Sequence, residues 1–362
     1  MRHMSGRAFK IHGWLMPAAW IYRAVTSVRN RMYDNGTLPA YSAPFPVISV
    51  GNITAGGTGK TPHCEYLAKL LQNRFKTAVL SRGYGRKTKG FLMIGSTTTP
   101  SQAGDEPCQM AGKFTDTAFA VCEKRETGLK MLQASVSPEV VILDDAFQHR
   151  SVTPSLNILL VNRNRNIMQD KVLPAGLLRE GADGRKRADI IIVSKCPQDI
   201  SPEERLTLTR ELCPDNDGRK VFFTTLEYAN LTPFNGNGTA RSLDSITSST
   251  HVTVATGIAS PEPILQELRN RTGLLTSVRF PDHHDYSAAD VRRISKAAES
   301  ASCSDSIVVI TEKDAIKLRG LDIDSRLAAK IFVLPVEVRF IGGREDFDSL
   351  IFNHINNFKA KL

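Results

Sequence analysis

Cysteine is scarce in this chain and poorly spaced for its two commonest structural uses. The six cysteines (Cys64, Cys108, Cys122, Cys196, Cys213 and Cys303) form no Cys-x-x-Cys pair, which removes the usual zinc-ligation pattern. A disulfide framework belongs to much shorter secreted chains, so a reducing compartment is expected. Long apolar runs are missing too. The longest uncharged stretch near the start, Ile11–Tyr22, falls short of the roughly 20 residues that span a bilayer. No small-residue cleavage site follows it, so no secretory signal is read there. Acidic residues are absent before Asp34. There is no internal repeat and no low-complexity tract. There is also no RRM-type aromatic pattern and no basic reading helix, so nucleic acid is not an expected partner. Nothing points to an obligate protein partner.

What is present is an ordinary globular composition in a chain of 362 residues, long enough to split into two domains. Lys and Arg outnumber Asp and Glu to give a net charge of +10. That balance suits an anionic partner such as an acidic lipid surface or a phosphorylated substrate. The segment Phe9–Tyr33 concentrates this charge. It holds both tryptophans, Trp14 and Trp20, with Arg2, Arg7, Lys10, Arg23, Arg29 and Arg31 in and around it. A basic helix with aromatic bulk can lie in a membrane interface. The same pattern also fits a helix packed on its own domain, and composition leaves both open.

Apolar, β-branched runs recur at Val47–Val50, Thr77–Leu80, Ala118–Val121, Val140–Leu143, Ile158–Val161, Ile190–Val193 and Val221–Thr224. They are continuous rather than alternating, as expected of strands buried on both faces. Helical stretches such as 63–72 and 126–134 lie between them. The expectation is an α/β fold, a P-loop NTPase-like doubly wound and mostly parallel sheet, with a second, smaller α/β domain. The reading divides the chain into a basic docking segment 1–34, a core domain 35–229, a polar connection 230–250, and a smaller domain 251–362.

After the run Val47–Val50 comes Gly51-Asn-Ile-Thr-Ala-Gly-Gly-Thr-Gly-Lys60-Thr61-Pro62 and then a helical stretch. Strand, glycine-rich turn and helix is the setting of a phosphate-binding loop: backbone N–H groups close around phosphate oxygens, and the helix N-terminus adds positive potential. The expected ATP-binding residues are Thr54, Ala55, Gly56, Gly57, Thr58, Gly59, Lys60 and Thr61. Lys60 would reach the β- and γ-phosphates and the Thr61 hydroxyl would ligate Mg²⁺. The pattern G-x-x-x-x-G-K-[ST] wants glycine where Thr54 stands. Ala55 occupies the position where switch ATPases of the ParA/MinD type carry a second lysine. A second element, Val140-Val-Ile-Leu-Asp144-Asp145, is an apolar strand ending in two carboxylates, the arrangement that holds Mg²⁺ directly or through water. Spacing does not rank the two. Gln148 and His149 follow closely and join the candidates. Ile190-Ile-Ile-Val-Ser-Lys195 is similar to the start of a GTPase base-recognition element, but Pro197 stands where its aspartate would be.

Several separated blocks together resemble the tetraacyldisaccharide 4'-kinase (lipid A 4'-kinase) family. They are Val50–Pro62, Ser81-Arg-Gly-Tyr-Gly-Arg86, Gly104-Asp-Glu-Pro107, Asp144-Asp-Ala-Phe-Gln-His149, Leu173-Pro-Ala-Gly-Leu-Leu-Arg-Glu180 and Thr311-Glu-Lys-Asp314. The family shares Thr54, and Ala146 departs from its usual glycine. The resemblance implies Mg-ATP-dependent phosphorylation of the 4'-hydroxyl of a tetraacylated glucosamine disaccharide 1-phosphate. It implies a place at the cytoplasmic face of the inner membrane, peripheral or monotopic, with the N-terminal segment docking on the anionic surface. It also implies Asp105 as catalytic base, Glu106 as support for metal or substrate, and His283 as the partner that orients or tunes the base. Arg125, Arg179 and Glu180 are further candidates for phosphate or metal contact. A metal site built on His283, His284 and an aspartate of the segment Phe280–Tyr286 is the weaker reading of that segment. The rival function is a membrane-associated P-loop NTPase switch without a small-molecule acceptor.

Overall fold

The structure, a computed structural model, describes residues 11–214, 218–236, 238–282, 284–299 and 305–360. Two compact units divide the chain: residues up to Leu226 together with those from Val338 onward, and Glu227–Glu337 between them.

The first unit opens with α1 (Met16–Asp34) and is built on β1 (Val47–Gly51), β2 (Thr77–Ser81), β3 (Leu92–Met93), β4 (Ala118–Val121), β5 (Val140–Asp144), β6 (Leu156–Asn162), β7 (Ile190–Ser194) and β8 (Lys220–Tyr228). Its helices are α2 (Lys60–Leu71), α3 (Pro100–Ala103), α4 (Asp105–Lys113), α5 (Arg125–Ser135) and α6 (Pro202–Leu212). The second unit contains β9 (Thr232–Pro233), β10 (His251–Thr256), α7 (Glu262–Arg269), β11 (Leu274–Arg279), α8 (Ala288–Glu299), β12 (Ser306–Thr311), α9 (Glu312–Leu318), α10 (Ser325–Lys330) and β13 (Ile331–Leu334). The chain then returns through β14 (Val336–Phe340) to α11 (Arg344–Lys359).

The large sheet runs β14-β8-β7-β6-β1-β5-β2-β4-β3. The neighbours from β8 through β4 pair in parallel, and β3 runs antiparallel to β4 at the edge. Alternate residues serve opposite faces. Ile48, Val50, Ile142 and Ile158 pack with Leu67 and Leu71 of α2 and with Phe347, Ile351 and Ile355 of α11. On the other face Val141 and Leu143 meet Leu129 and Leu132 of α5, and Leu159 and Ile191 join a cluster that includes Ala19 of α1. Both faces are covered, which is why these strands read as continuous apolar runs. The small sheet runs β11-β10-β12-β13-β9 and is parallel except for β9.

Two boundaries differ from the sequence reading. The polar stretch 230–250 is not a bare connection: Leu231, Leu243 and Ile246 are buried in the second unit's core, and β9 pairs with β13. Residues 338–362 do not belong to the smaller unit, because β14 joins the large sheet and α11 packs on its face. The strands β11 and β14 escaped the sequence reading. Both are edge strands with largely exposed or half-exposed side chains, only Val278 of β11 being buried, so neither forms a buried apolar run.

Candidate active site

β1 sits beside β5 in parallel register, Val50 opposite Asp144, so the glycine-rich loop and the paired aspartates leave the sheet at the same end. Left-handed backbone at Gly56 and Gly59, with φ of 110° and 83°, lets the loop fold back before α2 begins at Lys60. Side chains hold it in shape. Asn52 Nδ2 donates to Thr58 Oγ1 at 2.7 Å, and Ser194 Oγ donates to the Thr58 carbonyl at 2.8 Å. His63 is buried, with Nδ1 bonded to the Gly59 carbonyl at 2.7 Å and Nε2 to Thr224 Oγ1 at 3.1 Å. A carbonyl only accepts, so Nδ1 carries the proton and Nε2 accepts from Thr224. Burial pushes the pKa of His63 down to about 4.

One part of the predicted phosphate cradle is used otherwise. The Ala55 N–H donates to the Leu177 carbonyl at 2.7 Å, and the Arg179 N–H to the Ile53 carbonyl at 2.7 Å. Thr54, buried, faces Leu178 in the same antiparallel bridge. An amide already bonded in this way is not free for a phosphate oxygen. The cradle therefore narrows to Gly56, Gly57, Thr58, Gly59, Lys60 and Thr61, while Thr54 and Ala55 zip the loop to the segment 177–179.

Lys60 Nζ lies 3.7 Å from Asp145, and Arg179 Nη1 donates to both oxygens of Asp145 at 2.9 and 3.1 Å. The Thr61 hydroxyl donates to Glu106 at 2.8 Å. Asp144 is buried and accepts from Ser81 Oγ at 2.9 Å. Burial, then the Glu106 and Asp145 carboxylates, raise its pKa to about 6. This separates the two aspartates. Asp144 sits under the site in a dry setting, and Asp145, held at φ 46°, meets both cations. Thr61, Glu106, Asp144 and Asp145 present hard oxygen donors. Magnesium binds through one or two carboxylates plus phosphate oxygens, so these residues fit it. Asp105 begins α4, next to Glu106.

The remaining candidates support the site. Arg125 is fully buried and donates to the carbonyls of Cys122 and Asp144; burial brings its pKa down to about 10. Its visible work is to hold the turn after β5, not to face a phosphate. Glu180, also buried, accepts from Gln148 Nε2 at 3.0 Å, Arg187 Nη2 at 2.9 Å and Asn30 Nδ2 at 2.8 Å. It is therefore a hub joining α1 to the turn after Asp145. Gln148 also donates to the Asn52 carbonyl at 2.7 Å. His149 is kept neutral, its pKa lowered to about 4 by burial and then by Arg125 and Arg82. Sequence reasoning passed over Asn52, Ser81 and Asn30. The first two lie inside or at the rim of conspicuous blocks, and Asn30 had no local signal.

α1 is fastened here. Besides Asn30, the Tyr22 hydroxyl donates to the Arg179 carbonyl at 2.9 Å and Arg29 to the Gln148 carbonyl at 3.2 Å. Its opposite side carries Ile21, Val25, Val28 and Met32, all exposed, and Trp14, 79% exposed, stands in the 3-10 turn Gly13–Leu15 just before it. The helix packs on its own domain with one face and leaves an apolar face uncovered. Among the described residues, no helix is long and apolar enough to cross a membrane.

In the second unit, Asp314 is buried and accepts from the Gly257 N–H at 3.1 Å, Tyr286 Oη at 2.8 Å and Thr311 Oγ1 at 2.6 Å. Lys313 pairs with Asp282 at 3.1 Å, and Lys317 donates to the His284 carbonyl at 3.0 Å. The block Thr311-Glu-Lys-Asp314 thus anchors the segment around 280–286. His283 lies outside the described residues. His284 stacks on Phe280 and bonds Asp290 at 3.1 Å, which commits its Nε2 to that carboxylate.

A phosphate-cradling loop with its lysine and threonine set against three carboxylates, at the carboxyl end of a doubly wound sheet, defines a P-loop kinase. The chain belongs to the tetraacyldisaccharide-1-P 4'-kinase (LpxK) family, whose model matches residues 11–356. It is 44% identical to the tetraacyldisaccharide 4'-kinase of Phocaeicola vulgatus over 97% of both chains. It is 41% identical to that of Bacteroides thetaiotaomicron, over 97% of this chain and 95% of the other. Among solved structures, LpxK from Aquifex aeolicus in complex with ATP superposes with a TM-score of 0.75 at 31% identity, covering 94% of this chain and 98% of that one.

Proposed function

We infer that this protein is an ATP-dependent kinase that phosphorylates the 4'-hydroxyl of a tetraacylated glucosamine disaccharide 1-phosphate, a step of lipid A biosynthesis. The observation that carries this is the family match along residues 11–356, joined to a loop whose Lys60 and Thr61 face Asp145 and Glu106.

Phosphoryl transfer asks a protein mainly for positioning and charge stabilisation. Gly56 to Thr61 hold the ATP phosphates, and Lys60 leaves Asp145 to follow the transferred group. Thr61, Glu106, Asp144 and Asp145 hold Mg²⁺, which neutralises phosphate charge when bound. Arg179 keeps Asp145 in place beside Lys60. Asp105 takes the proton of the attacking 4'-hydroxyl as its oxygen bonds phosphorus and the bond to ADP breaks. His283 keeps the tuning role that the family resemblance assigns. The exposed apolar face of α1, flanked by Arg23, Arg29 and Arg31, docks on the anionic cytoplasmic surface of the inner membrane and brings the site to its lipid.

The test is incubation of the purified protein with γ-labelled ATP, Mg²⁺ and the disaccharide 1-phosphate in mixed micelles, followed by lipid separation. Label should enter the lipid at the 4' position, and Asp105→Ala or His283→Ala should each stop this while ATP affinity is kept. ATP hydrolysis without labelled lipid would instead mark a switch NTPase.

A further inference from the structure

Lys195 stands just past β7, in left-handed backbone with φ 58°, a conformation that costs a non-glycine residue about 1 kcal/mol or more. The strain turns its side chain back over the phosphate loop: a Cβ built on Gly57 would lie 3.6 Å from Lys195 Nζ. Among the described residues, Lys195 has no hydrogen-bond acceptor and no acidic partner. Burial alone lowers its pKa. A half-buried ammonium without a counter-charge is costly unless something arrives to meet it.

The sheet order says what arrives. The carboxylates and Lys60 mark the transfer end of the site, on the β5 side of β1. Lys195 lies on the opposite side, where β6 and β7 end. Their terminal residues already grip the loop there: Asn162 Nδ2 donates to the Gly57 carbonyl at 3.4 Å, and Ser194 Oγ to the Thr58 carbonyl at 2.8 Å. A nucleotide whose phosphates lie in the loop with the transferred group toward Asp145 sets its nucleoside against this second wall. Two residues further on, Pro197 offers neither a carboxylate nor an N–H for reading a base edge. Lys195 is therefore the polar side chain that the β7 end presents to the sugar and base.

We propose that Lys195 is a nucleotide-binding residue that holds the nucleoside half of ATP against the Gly57 side of the loop. This rests on the reading of the loop as an ATP site. The role is binding, so it enters ATP affinity and not the transfer step.

The test compares Lys195→Ala with the unaltered protein by calorimetric titration with two probes, ATP and inorganic tripolyphosphate, each with Mg²⁺. For Lys195→Ala, ATP should weaken by about tenfold or more while tripolyphosphate changes less than about twofold. Turnover at saturating ATP should stay within about twofold of the unaltered enzyme, and KM for the lipid should not move. Lys195→Met keeps the apolar stem over Gly57 and removes only the charge, so it serves if the alanine variant does not fold. It should still weaken ATP by about threefold. Unchanged ATP affinity in either folded variant overturns the proposal. So does equal weakening of both probes, which would make Lys195 a phosphate cation or a loop support. Failure of the unaltered protein to bind ATP would remove the underlying reading of the loop instead.

Discussion

Lys60 and Asp145 hold each other 3.7 Å apart, and Arg179 shares the same carboxylate. Under the proposed function, Lys60 is held on Asp145 close to where the transferred phosphate would need it, and Arg179 would keep that carboxylate paired once the lysine moved. Lys60→Ala removes the cation aimed at the developing charge, so turnover should fall at least about a hundredfold, read in a steady-state assay on a variant shown to be folded. His63 gives a pH prediction. Its pKa falls from 6.5 free to about 4 in the fold, so the folded state favours the neutral ring. Its contribution is whole above pH 6.5 and is lost as pH drops toward 4, by up to about 3 kcal/mol. His63→Gln should therefore lose less stability than the unaltered protein between pH 7 and pH 4.5, measured by urea unfolding at each pH. An equal loss in both would place the acid sensitivity elsewhere, with His149 the next group to change.

α1 shows how one element serves two surfaces. Ala19 is buried in the large unit, and Tyr22, Arg29 and Asn30 bond the segments around Gln148 and Arg179–Glu180. Ile21, Val25 and Val28 recur at helical spacing on the uncovered side, with exposed Trp14 in the turn just before the helix. Changing Trp14, Ile21, Val25 and Val28 together to Ser should release the protein from anionic vesicles in flotation assays and raise KM for the lipid, with ATP affinity kept. Because those four side chains are exposed, thermal stability should stay close to that of the unaltered protein. Retained vesicle binding would show that the stripe is not the docking face. The same element explains the limit of sequence reading here. Basic and aromatic residues left an interfacial and a packed helix both open, and Asn30 and Tyr22 become meaningful only when residues more than a hundred positions away fold beside them.

The whole chain leaves the large sheet along β8, builds a second unit, and returns through β14 to α11. This return makes the last helix part of the nucleotide-binding unit. Phe347 is 1% exposed and packs with Tyr66, Phe222 and Phe340. Phe347→Ala should cost about 3–5 kcal/mol, seen as a lower urea midpoint and as ATP binding lost at the same denaturant concentration. If α11 instead belonged with residues 227–337, ATP binding would outlast the transition that Phe347→Ala shifts. The sequence by itself determined the buried central strands of the large sheet, the glycine-rich loop ending in Lys60 and Thr61, the acidic pair Asp144–Asp145 and the family. Each of these depends on local spacing: a buried parallel strand must be apolar throughout, and a phosphate loop must supply glycine, lysine and hydroxyl in sequence. Only the tertiary structure decided that Ala55 bonds Leu177 rather than a phosphate, that Arg125 supports a backbone turn, and that Glu180 ties α1 to the site. It alone placed α11 in the first unit and laid Lys195 over Gly57. These depend on which partner a polar group or an apolar face meets, and parallel crossovers set that by bringing together residues that have no neighbourhood in the sequence.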